Sequence, residues 1–571
     1  MARYLIMNVI SNERKVEKME KIDISSLSIR EKVLQTVIIR VTNDKFNPAK
    51  VGGVFFGGTI ISSPDERGVE GARALIKKYI DNADIPILVT SDFESGCGGM
   101  FKGLTAFPYE MSLGAANDEQ LAYDYGKATA MEARSVGANW TLSPVSDLNL
   151  NPWNQLVGER TIGDDPDLTV RLLKQVVRGM QENGIAACAK HFPGDGVDFR
   201  DQHRVTTYNT LSMEDWRRLS GRVFKELIED GVYSIMAGHI GLPAYQKERL
   251  GGFVPPATLS YELITELLKG ELGFEGVVVT DALGMGGMAG FHENKMDMYI
   301  DCFNAGCDMM LWPGMGYVDG MVEAVESGRV SIERLDDAVR RILNMKEKLG
   351  LFDRDNAPVL LSGEEQAFVR DVGRRVADAS MTLLRDNKKI FPLNPEKHKR
   401  IAIVPVIKDE NYNRVHGEAE LLASEFERRG FEVGYYDPKV SRMPFMKTGK
   451  FSEGNVMDAD MPIDDVMDSY DAIIYAFFTR TFRPSGPEDF CGEECIPLKV
   501  ALSHAVDKTI AVSFGSPYLI GEYFERGPAC VNAYSMVALS VEAFVRAACG
   551  EIEFSHFSPV DLVFPTWTPK K

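Results

Sequence analysis

Cysteine, basic charge and long apolar runs are scarce in this sequence. Its 571 residues include eight cysteines, mostly in apolar segments, which is typical of reduced thiols in a cytosolic protein and not of a disulfide framework. No apolar run approaches the ~18 residues that a membrane-spanning helix needs. The net charge of −19 repels polyphosphates and anionic lipid headgroups, so we expect neither nucleic acid nor a membrane surface as a partner.

Two further patterns are too weak to indicate a targeting segment or a metal centre. Arg3 precedes a short apolar stretch at 4–10, but no small-residue cleavage site follows, so we favour a structural or disordered start over a signal peptide. Cys491 and Cys495 lack the C-x-x-C spacing and a companion cluster, so we favour ordinary loop cysteines over a redox or metal pair. We therefore expect a cytoplasmic protein.

Between about residues 50 and 315, short apolar runs alternate with amphipathic stretches of helical length. This alternation predicts parallel strands joined by crossover helices. Seven such strands, with an eighth in the first hundred residues, fit a (β/α)8 TIM-type barrel better than an open doubly wound sheet, because no G-x-G-x-x-G turn follows a strand. The predicted strands are 51–56, 87–91, 140–145, 185–190, 233–238, 277–280 and 308–312, and the predicted helices are 117–136, 166–183, 212–230, 258–270 and 292–304.

A second α/β region follows the first. A helix predicted over 332–349 ends at Gly350, the polar residues 351–358 predict a linker, and a long helix is predicted over 364–384. The apolar alternation then restarts at 401–405, 431–436, 472–477, 509–514 and 530–533. We therefore predict a barrel domain at 1–350, a linker and connecting helix at 351–384, and a smaller α/β domain at 385–571.

Titratable residues crowd the loop after the predicted strand at 185–190. Catalytic groups of a parallel barrel lie just past the carboxyl ends of its strands, where the βα loops converge. Lys190 and His191 end this strand, and Asp201 and His203 follow in the same loop. On an extended segment residues two apart point the same way, so Asp201 and His203 can hydrogen-bond and form a general acid near neutral pH. The alternative is a surface loop with a chance Asp-x-His pair, and the strand-end position favours function.

Asp281 directly follows the apolar run at 277–280. Its carboxylate suits a nucleophile or stabiliser facing an electrophilic carbon, or alternatively a cap of the next helical turn. Asp92 and Arg160 lie in loops after two other predicted strands. With Lys190, His191 and Asp281 they would form a ring suited to the hydroxyl groups of a sugar.

His239 ends a further predicted strand, where it would be either a satisfied core histidine or part of the rim, and we favour the core. Metal is the main competing use of such residues, since Asp201, His191 and His203 could in principle hold zinc. No H-x-H or H-E-x-x-H pattern is present. We therefore expect no metal and no cofactor.

The loop K-H-F-P-G at 190–194, followed by Gly196, Asp201 and His203, resembles the signature of the bacterial β-N-acetylglucosaminidase branch of glycoside hydrolase family 3. In that branch the Asp-His pair is the acid/base, which implies the same role for Asp201 and His203. The segment 278–285 is similar to the family's nucleophile strand, so Asp281 inherits the role of nucleophile. The resemblance also implies sugar binding by Asp92, Arg160, Lys190, His191 and Met285.

The ordered resemblance spans about residues 50–350. The second domain resembles the family's C-terminal α/β (αβα) sandwich more loosely, through 514–518 and the final helix with Cys549. Two departures stand out. Asp195 occupies a position where the family commonly has His, which alters the charge of the loop, and 554–560 lacks the usual Gly-Lys-Leu-Pro run.

The resemblance implies a retaining hydrolase that removes terminal β-linked N-acetylglucosamine from muropeptides, in peptidoglycan recycling, or from chitin fragments. Asp281 would attack the anomeric carbon while His203, oriented by Asp201, protonates the leaving oxygen and then activates water. An imidazole without its proton does not repel an anion, so a phosphorylase that uses phosphate stays an alternative. A β-glucosidase and a sugar-binding protein without turnover also remain. Natural substrate and oligomeric state are open.

Overall fold

The structure, a computed structural model, describes residues 22–40, 53–55, 68–353, 357–407, 412–435, 469–478, 505–524 and 526–562. The predictions for the start of the chain and for Cys491 and Cys495 lie outside these residues. Helices and parallel strands alternate along the described ranges, so the chain has an α/β fold. Among its described helices, none combines the length and apolar character needed to cross a bilayer.

Within the described residues of the first part of the chain, 22–353, there are ten strands and ten α-helices. A π-helix at Glu262–Glu271 takes the place of the helix predicted at 258–270. The strands are β1 Val37–Arg40, β2 Gly53–Phe55, β3 Leu88–Ser91, β4 Trp140–Thr141, β5 Cys188–Phe192, β6 Thr207–Tyr208, β7 Ser234–Ala237, β8 Ile240–Gly241, β9 Val277–Thr280 and β10 Met310–Leu311. The helices are α1 Ile29–Gln35, α2 Gly68–Asp81, α3 Glu110–Ala116, α4 Glu119–Ser135, α5 Pro166–Glu182, α6 Met213–Arg218, α7 Ser220–Glu229, α8 Lys295–Ala305, α9 Tyr317–Glu326 and α10 Ile332–Lys348.

These strands form parallel sheets in the orders β10-β1-β2-β3-β4, β5-β7-β9 and β6-β8. Isolated parallel bridges join Trp140 to Ala186 and Val279 to Met309, between the edges of the two larger sheets. All seven predicted strands have counterparts here, and β1 is the eighth strand expected near the start. A third bridge joins Val145 to Lys190. Isolated bridges link the two larger sheets but no continuous ladder does, so a closed barrel is not shown.

Two predicted elements are interrupted. The strand predicted over 140–145 ends at Thr141. Beyond it Ser143 and Pro144 only accept hydrogen bonds from β5, and Pro144 has no N–H to donate in return. The helix predicted over 212–230 is divided at Leu219, whose backbone has φ −107° and ψ −106°, outside the helical region.

In the second part of the chain, from 357 on, the described strands form one six-stranded sheet in the order β11-β16-β15-β14-β12-β13. Of these strands only the edge strand β11 is antiparallel to its neighbour. All five strands predicted here are present. The strands are β11 Thr382–Asp386, β12 Arg400–Ile407, β13 Glu432–Tyr435, β14 Ala472–Phe478, β15 Thr509–Ser513 and β16 Ala529–Asn532, and the helices are α11 Gly363–Ser380, α12 Tyr412–Arg428, α13 Leu519–Tyr523 and α14 Ala538–Ala548.

The helix predicted over 364–384 is too long. It ends at Ser380, Met381 is extended, and Thr382 begins β11, which pairs with β16. The apolar run that follows Ser380 continued the helical periodicity in the sequence, but in the fold its backbone hydrogen bonds go to the sheet.

The end of the second part packs against the first part beside Arg160. The backbone N–H of Asp561 donates to the Asp164 Oδ2 atom at 2.6 Å, and the Asp164 N–H donates to the Pro559 carbonyl at 3.2 Å. Val560, which is buried, shares an apolar cluster with Met111 of α3. The loop that carries Arg160 is therefore supported by the C-terminal segment.

We expect Gly163→Ala to destabilise this contact. A Cβ at Gly163 would lie 2.1 Å from the carbonyl oxygen of Pro559, and overpacking against a backbone atom costs about 1–3 kcal/mol. The midpoint of thermal unfolding should therefore fall by several degrees. The matched control is Gly363→Ala, because a Cβ there meets no atom within 4 Å. Equal midpoints for the two variants would contradict the proposed role of the contact.

Candidate active site

The alternation of side chains along three strands brings predicted site residues to one side of the sheets. In β3, β5 and β9 the first residue packs in the interior cluster and the second faces the helices. Odd-numbered positions from each strand start therefore face the interior. Lys190 is at the third position of β5, and Asp92 and Asp281 are at the fifth positions counted from the starts of β3 and β9.

A buried charge network joins two cations at this end of the sheets. The Lys190 ammonium lies 3.1 Å from Asp92 Oδ1 and 2.6 Å from Glu94 Oε1. The Arg160 guanidinium donates twice to the Glu94 carboxylate, from Nε and Nη2, both at 2.8 Å. Asp92 is the most exposed of the four side chains, so it is the member of the network that is most accessible to a ligand.

The Glu94 carboxylate is ionised in this network. Burial alone would raise its pKa, but Arg160 and Lys190 hold the pKa of Glu94 well below its usual range. Burial would lower the pKa of Lys190, whereas Asp92 and Glu94 raise it above its ordinary value. Glu94, Lys190 and Arg160 are thus charged together, which fixes these side chains in place. Burial raises the pKa of Asp92 above its ordinary value, and Lys190 acts against that rise.

His191 is oriented by a carboxylate that the sequence did not single out. Its Nδ1 atom lies 2.7 Å from Asp147 Oδ2, and its backbone N–H donates to Asp147 Oδ1 at 3.1 Å. A carboxylate can only accept, so Nδ1 carries the hydrogen and Nε2 is the remaining ring nitrogen for a ligand. Both side chains are buried.

The predicted contact between Asp201 and His203 is present. His203 Nδ1 lies 2.7 Å from Asp201 Oδ1, and the backbone N–H of His203 donates to the same oxygen at 2.8 Å. The side chain of Asp201 is 0% exposed and that of His203 is 39% exposed. The imidazole therefore faces solvent while its carboxylate is enclosed, which suits proton transfer to a group that arrives from outside.

The local backbone of this pair differs from the prediction. We expected an extended segment, but Asp201 begins a turn in which the Arg204 and Val205 N–H groups donate to its carbonyl. The two side chains meet because the Asp201 carboxylate caps the turn that carries His203. The spacing of two residues correctly predicted the contact, but a capped turn produces it and not an extended backbone.

The Asp281 carboxylate lies among three histidines. Burial would raise its pKa, but His191, His239 and His203 together hold the pKa of Asp281 below its ordinary value. Its Oδ1 accepts from the Ala282 N–H at 2.7 Å. The alternative of a cap for the next helical turn is not borne out, because that turn, Gly286–Met288, has Met285 at its N-cap.

His239 is a core residue, as favoured from the sequence, and it lies beside Asp281. Its side chain is fully buried, with Nδ1 at 2.8 Å from Thr258 Oγ1 and Nε2 at 3.0 Å from the Ala282 carbonyl. Burial lowers the pKa of His239, so the neutral ring donates from Nε2. His239 therefore holds the backbone that follows Asp281.

The loop after Asp281 is bound to the loop that carries the Asp201–His203 pair. Gly286 N–H donates to the His203 carbonyl at 2.8 Å, and Gly287 N–H donates to the Gln202 carbonyl at 3.0 Å. A Cβ at Gly287 would lie 2.7 Å from that Gln202 oxygen, so the close approach requires glycine. Met285 is half-buried in this loop, and its N–H donates to the Ala282 carbonyl at 3.0 Å.

Sequence reasoning missed two residues of the site, Glu94 and Asp147. Both lie just past strands, Glu94 two residues after Asp92 and Asp147 in the loop after β4. An acidic residue near a strand end was therefore the available signal. Within the described residues, no group of three or more His, Cys, Asp or Glu side chains is arranged to hold a metal ion.

Residues 13–345 match the glycosyl hydrolase family 3 N terminal domain. The chain belongs to glycoside hydrolase family 3. It is a glycosidase of that family. The chain is 29% identical over 534 residues, 90% of each chain, to a protein of Cellulomonas fimi named beta-N-acetylglucosaminidase/beta-glucosidase.

Two solved structures of the family are similar over almost the whole chain. The first is a beta-glucoside phosphorylase BglX, with a TM-score of 0.82, 28% identity, and 95% of each chain covered. The second is a glycoside hydrolase family 3 beta-N-acetylglucosaminidase from Paenibacillus sp. str. FPU-7, with a TM-score of 0.75 and 26% identity, covering 94% of this chain and 99% of the other.

We expect Glu94→Gln to destabilise the site. The change leaves the buried Arg160 without its carboxylate and Lys190 with Asp92 alone, and breaking a buried pair costs about 3–5 kcal/mol. Denaturant unfolding should show this loss in the free energy of unfolding. Glu119→Gln is the control, because the Glu119–Arg171 pair is exposed and worth at most about 1 kcal/mol. Similar losses for the two variants would show that Glu94 does not hold the cations.

Proposed function

We propose that this family 3 enzyme is a retaining glycosidase that removes terminal β-linked N-acetylglucosamine. The observation that carries the proposal is the hydrogen-bonded Asp201–His203 pair, with its imidazole exposed, near a carboxylate whose pKa is lowered by histidines, Asp281. Support also comes from the names of the Cellulomonas fimi relative and of the Paenibacillus structure.

In the first step a carboxylate oxygen of Asp281 forms a bond to the anomeric carbon, and the bond from that carbon to the leaving oxygen breaks. His203 gives its Nε2 proton to the leaving oxygen. In the second step a water gives a proton to His203 and its oxygen attacks the anomeric carbon, which releases Asp281. Asp201 accepts from Nδ1 throughout and stabilises the imidazolium.

Sugar hydroxyl groups would be held by Asp92, Arg160, Lys190 and His191, with Met285 at the loop after Asp281. The charged network of Glu94 presents carboxylate acceptors and cationic donors that are already fixed before the ligand arrives, which limits the entropy lost on binding. The enzyme would act on muropeptides in peptidoglycan recycling or on chitin fragments. Six described cysteines are free thiols, which favours a reducing compartment such as the cytoplasm.

Phosphorolysis is the second candidate, favoured by the similarity to a beta-glucoside phosphorylase over 95% of the chain. After the first step His203 is neutral, and phosphate could then approach without electrostatic repulsion. Phosphate would replace water as the acceptor and give a sugar 1-phosphate. The residues named here would have the same roles in hydrolysis and in phosphorolysis.

The proposed architecture is a closed (β/α)8 barrel at 1–350, a linker and connecting helix at 351–384, and a smaller sandwich domain at 385–571. The parallel bridges Trp140 to Ala186 and Val279 to Met309 support closure, because they lie between the two larger sheets. Thr382–Asp386 belongs to the second sheet by its pairing, so the connecting helix proper ends before it.

Release of nitrophenol from an aryl β-N-acetylglucosaminide, with and without phosphate, tests the proposal. Asp281→Asn should lower turnover on the order of 10³-fold or more, because no glycosyl ester forms. Since an aryl group leaves with little acid help, His203→Ala should spare the first step and slow the second, giving a burst of nitrophenol. The surface variants Asp507→Asn and His556→Ala are the matched controls, because both side chains are exposed.

Each outcome has a distinct meaning. Sugar phosphate among the products would establish phosphorolysis, and turnover of aryl glucoside alone would establish a β-glucosidase. Full activity of Asp281→Asn would exclude the assigned nucleophile. No release from either aryl glycoside by the parent enzyme would favour a sugar-binding protein.

A further inference from the structure

Asp195 is a buried carboxyl group that the proposed mechanism does not use. It lies in the loop after β5 and is 2% exposed. Its Oδ1 accepts from Asn154 Nδ2 at 2.9 Å and from the Gly196 N–H at 2.7 Å. Its Oδ2 is fully buried and has no hydrogen-bond partner among the described residues.

Asp195 is adjacent to the carboxylate that orients His191. Its backbone N–H donates to Asp147 Oδ1 at 2.7 Å, and the same oxygen accepts from the His191 N–H at 3.1 Å. Asp147 therefore binds His191 and Asp195 at once. Two ionised carboxylates side by side in this enclosed space would repel each other, and an unpartnered buried carboxylate oxygen adds a further cost.

We propose that Asp195 carries a proton in the active enzyme and is thereby a positioning residue for Asp147 and His191. With Asp195 neutral, Asp147 holds the His191 ring through Nδ1. When Asp195 loses its proton, the added negative charge displaces Asp147, and His191 loses its orientation for the sugar. The effect on turnover rests on the proposed function, whereas the proton on Asp195 does not.

The surroundings of Asp195 agree with a proton held near neutral pH. Burial, and then the neighbouring Asp147, raise the pKa of Asp195 to about 7. His191, the Gly196 N–H and the Asn154 amide act in the opposite direction. The charged groups that face Asp195 are thus one anion from the loop after β4 and one histidine from β5.

The test is the pH profile of Asp195→Asn, whose amide mimics the neutral acid at the same size. With nitrophenyl β-N-acetylglucosaminide as substrate, wild-type kcat/KM should fall above pH 7 because KM rises. The kcat/KM of the variant should not fall above pH 7. It should exceed the wild-type kcat/KM by about 2-fold at pH 7 and about 10-fold at pH 8, as expected for one titrating group. Asp198→Asn is the control from the same loop, because the pKa of Asp198 is lowered. Its kcat/KM should fall above pH 7 as that of the wild type does.

Infrared difference spectroscopy from pH 5 to pH 9 tests the proton on Asp195 without a substrate. Burial also raises the pKa of Glu132 to about 7, so its protonated-carboxyl stretch should disappear in both proteins. The wild type should lose one more protonated carboxyl group than folded Asp195→Asn, with a midpoint near 7. An identical titration in both proteins, or a variant with less activity than the wild type at every pH, would overturn the proposal. If the spectra behave as expected and no glycoside is turned over, the proton on Asp195 stands and the proposed function fails.

Discussion

The Glu94 carboxylate is the constraint on which the rest of the site depends. It lies within hydrogen-bond distance of Arg160 and of Lys190, and both cations are buried. Without an anion between them the two cations would repel each other and pay the full cost of desolvation. The positions of the loop that carries Arg160 and of the strand that carries Lys190 are therefore set by one side chain.

A second constraint connects Asp281 to the Asp201–His203 pair. Gly286 and Gly287 fasten the loop after Asp281 to the turn of Asp201 and His203 through backbone hydrogen bonds. His239 fixes the same loop from inside the core. The separation of the carboxylate from the imidazole is thereby determined by main-chain contacts, which vary less than side-chain rotamers.

Much of the fold followed from local patterns. Apolar alternation located the strands. Asp92 and Asp281 were found because they follow strand ends, and parallel strands end at one side of a sheet. Lys190 was predicted at the end of its strand, but β5 continues to Phe192. The errors in predicted secondary structure arose where pairing with a residue far away in the sequence determines the local structure. Thr382–Asp386 is a strand only because it pairs with β16, and the apolar run gave no local sign of that.

The missed site residues have the same explanation. Glu94 belongs to the site because it binds Arg160, 66 positions away in the sequence. Asp147 belongs to it because it binds His191, 44 positions away. A single sequence carries no record of such pairs. The Asp201–His203 contact was predictable because its two members lie two positions apart and need no other element to meet.

The contact between Asp164 and Asp561 spans 397 positions of the chain. During synthesis the strands around the pocket emerge from the ribosome long before the segment that supports the Arg160 loop. The contacts of this loop with 559–561 cannot form until that segment has been made. In a growing chain the loop thus gains this support last, although its own residues are made early.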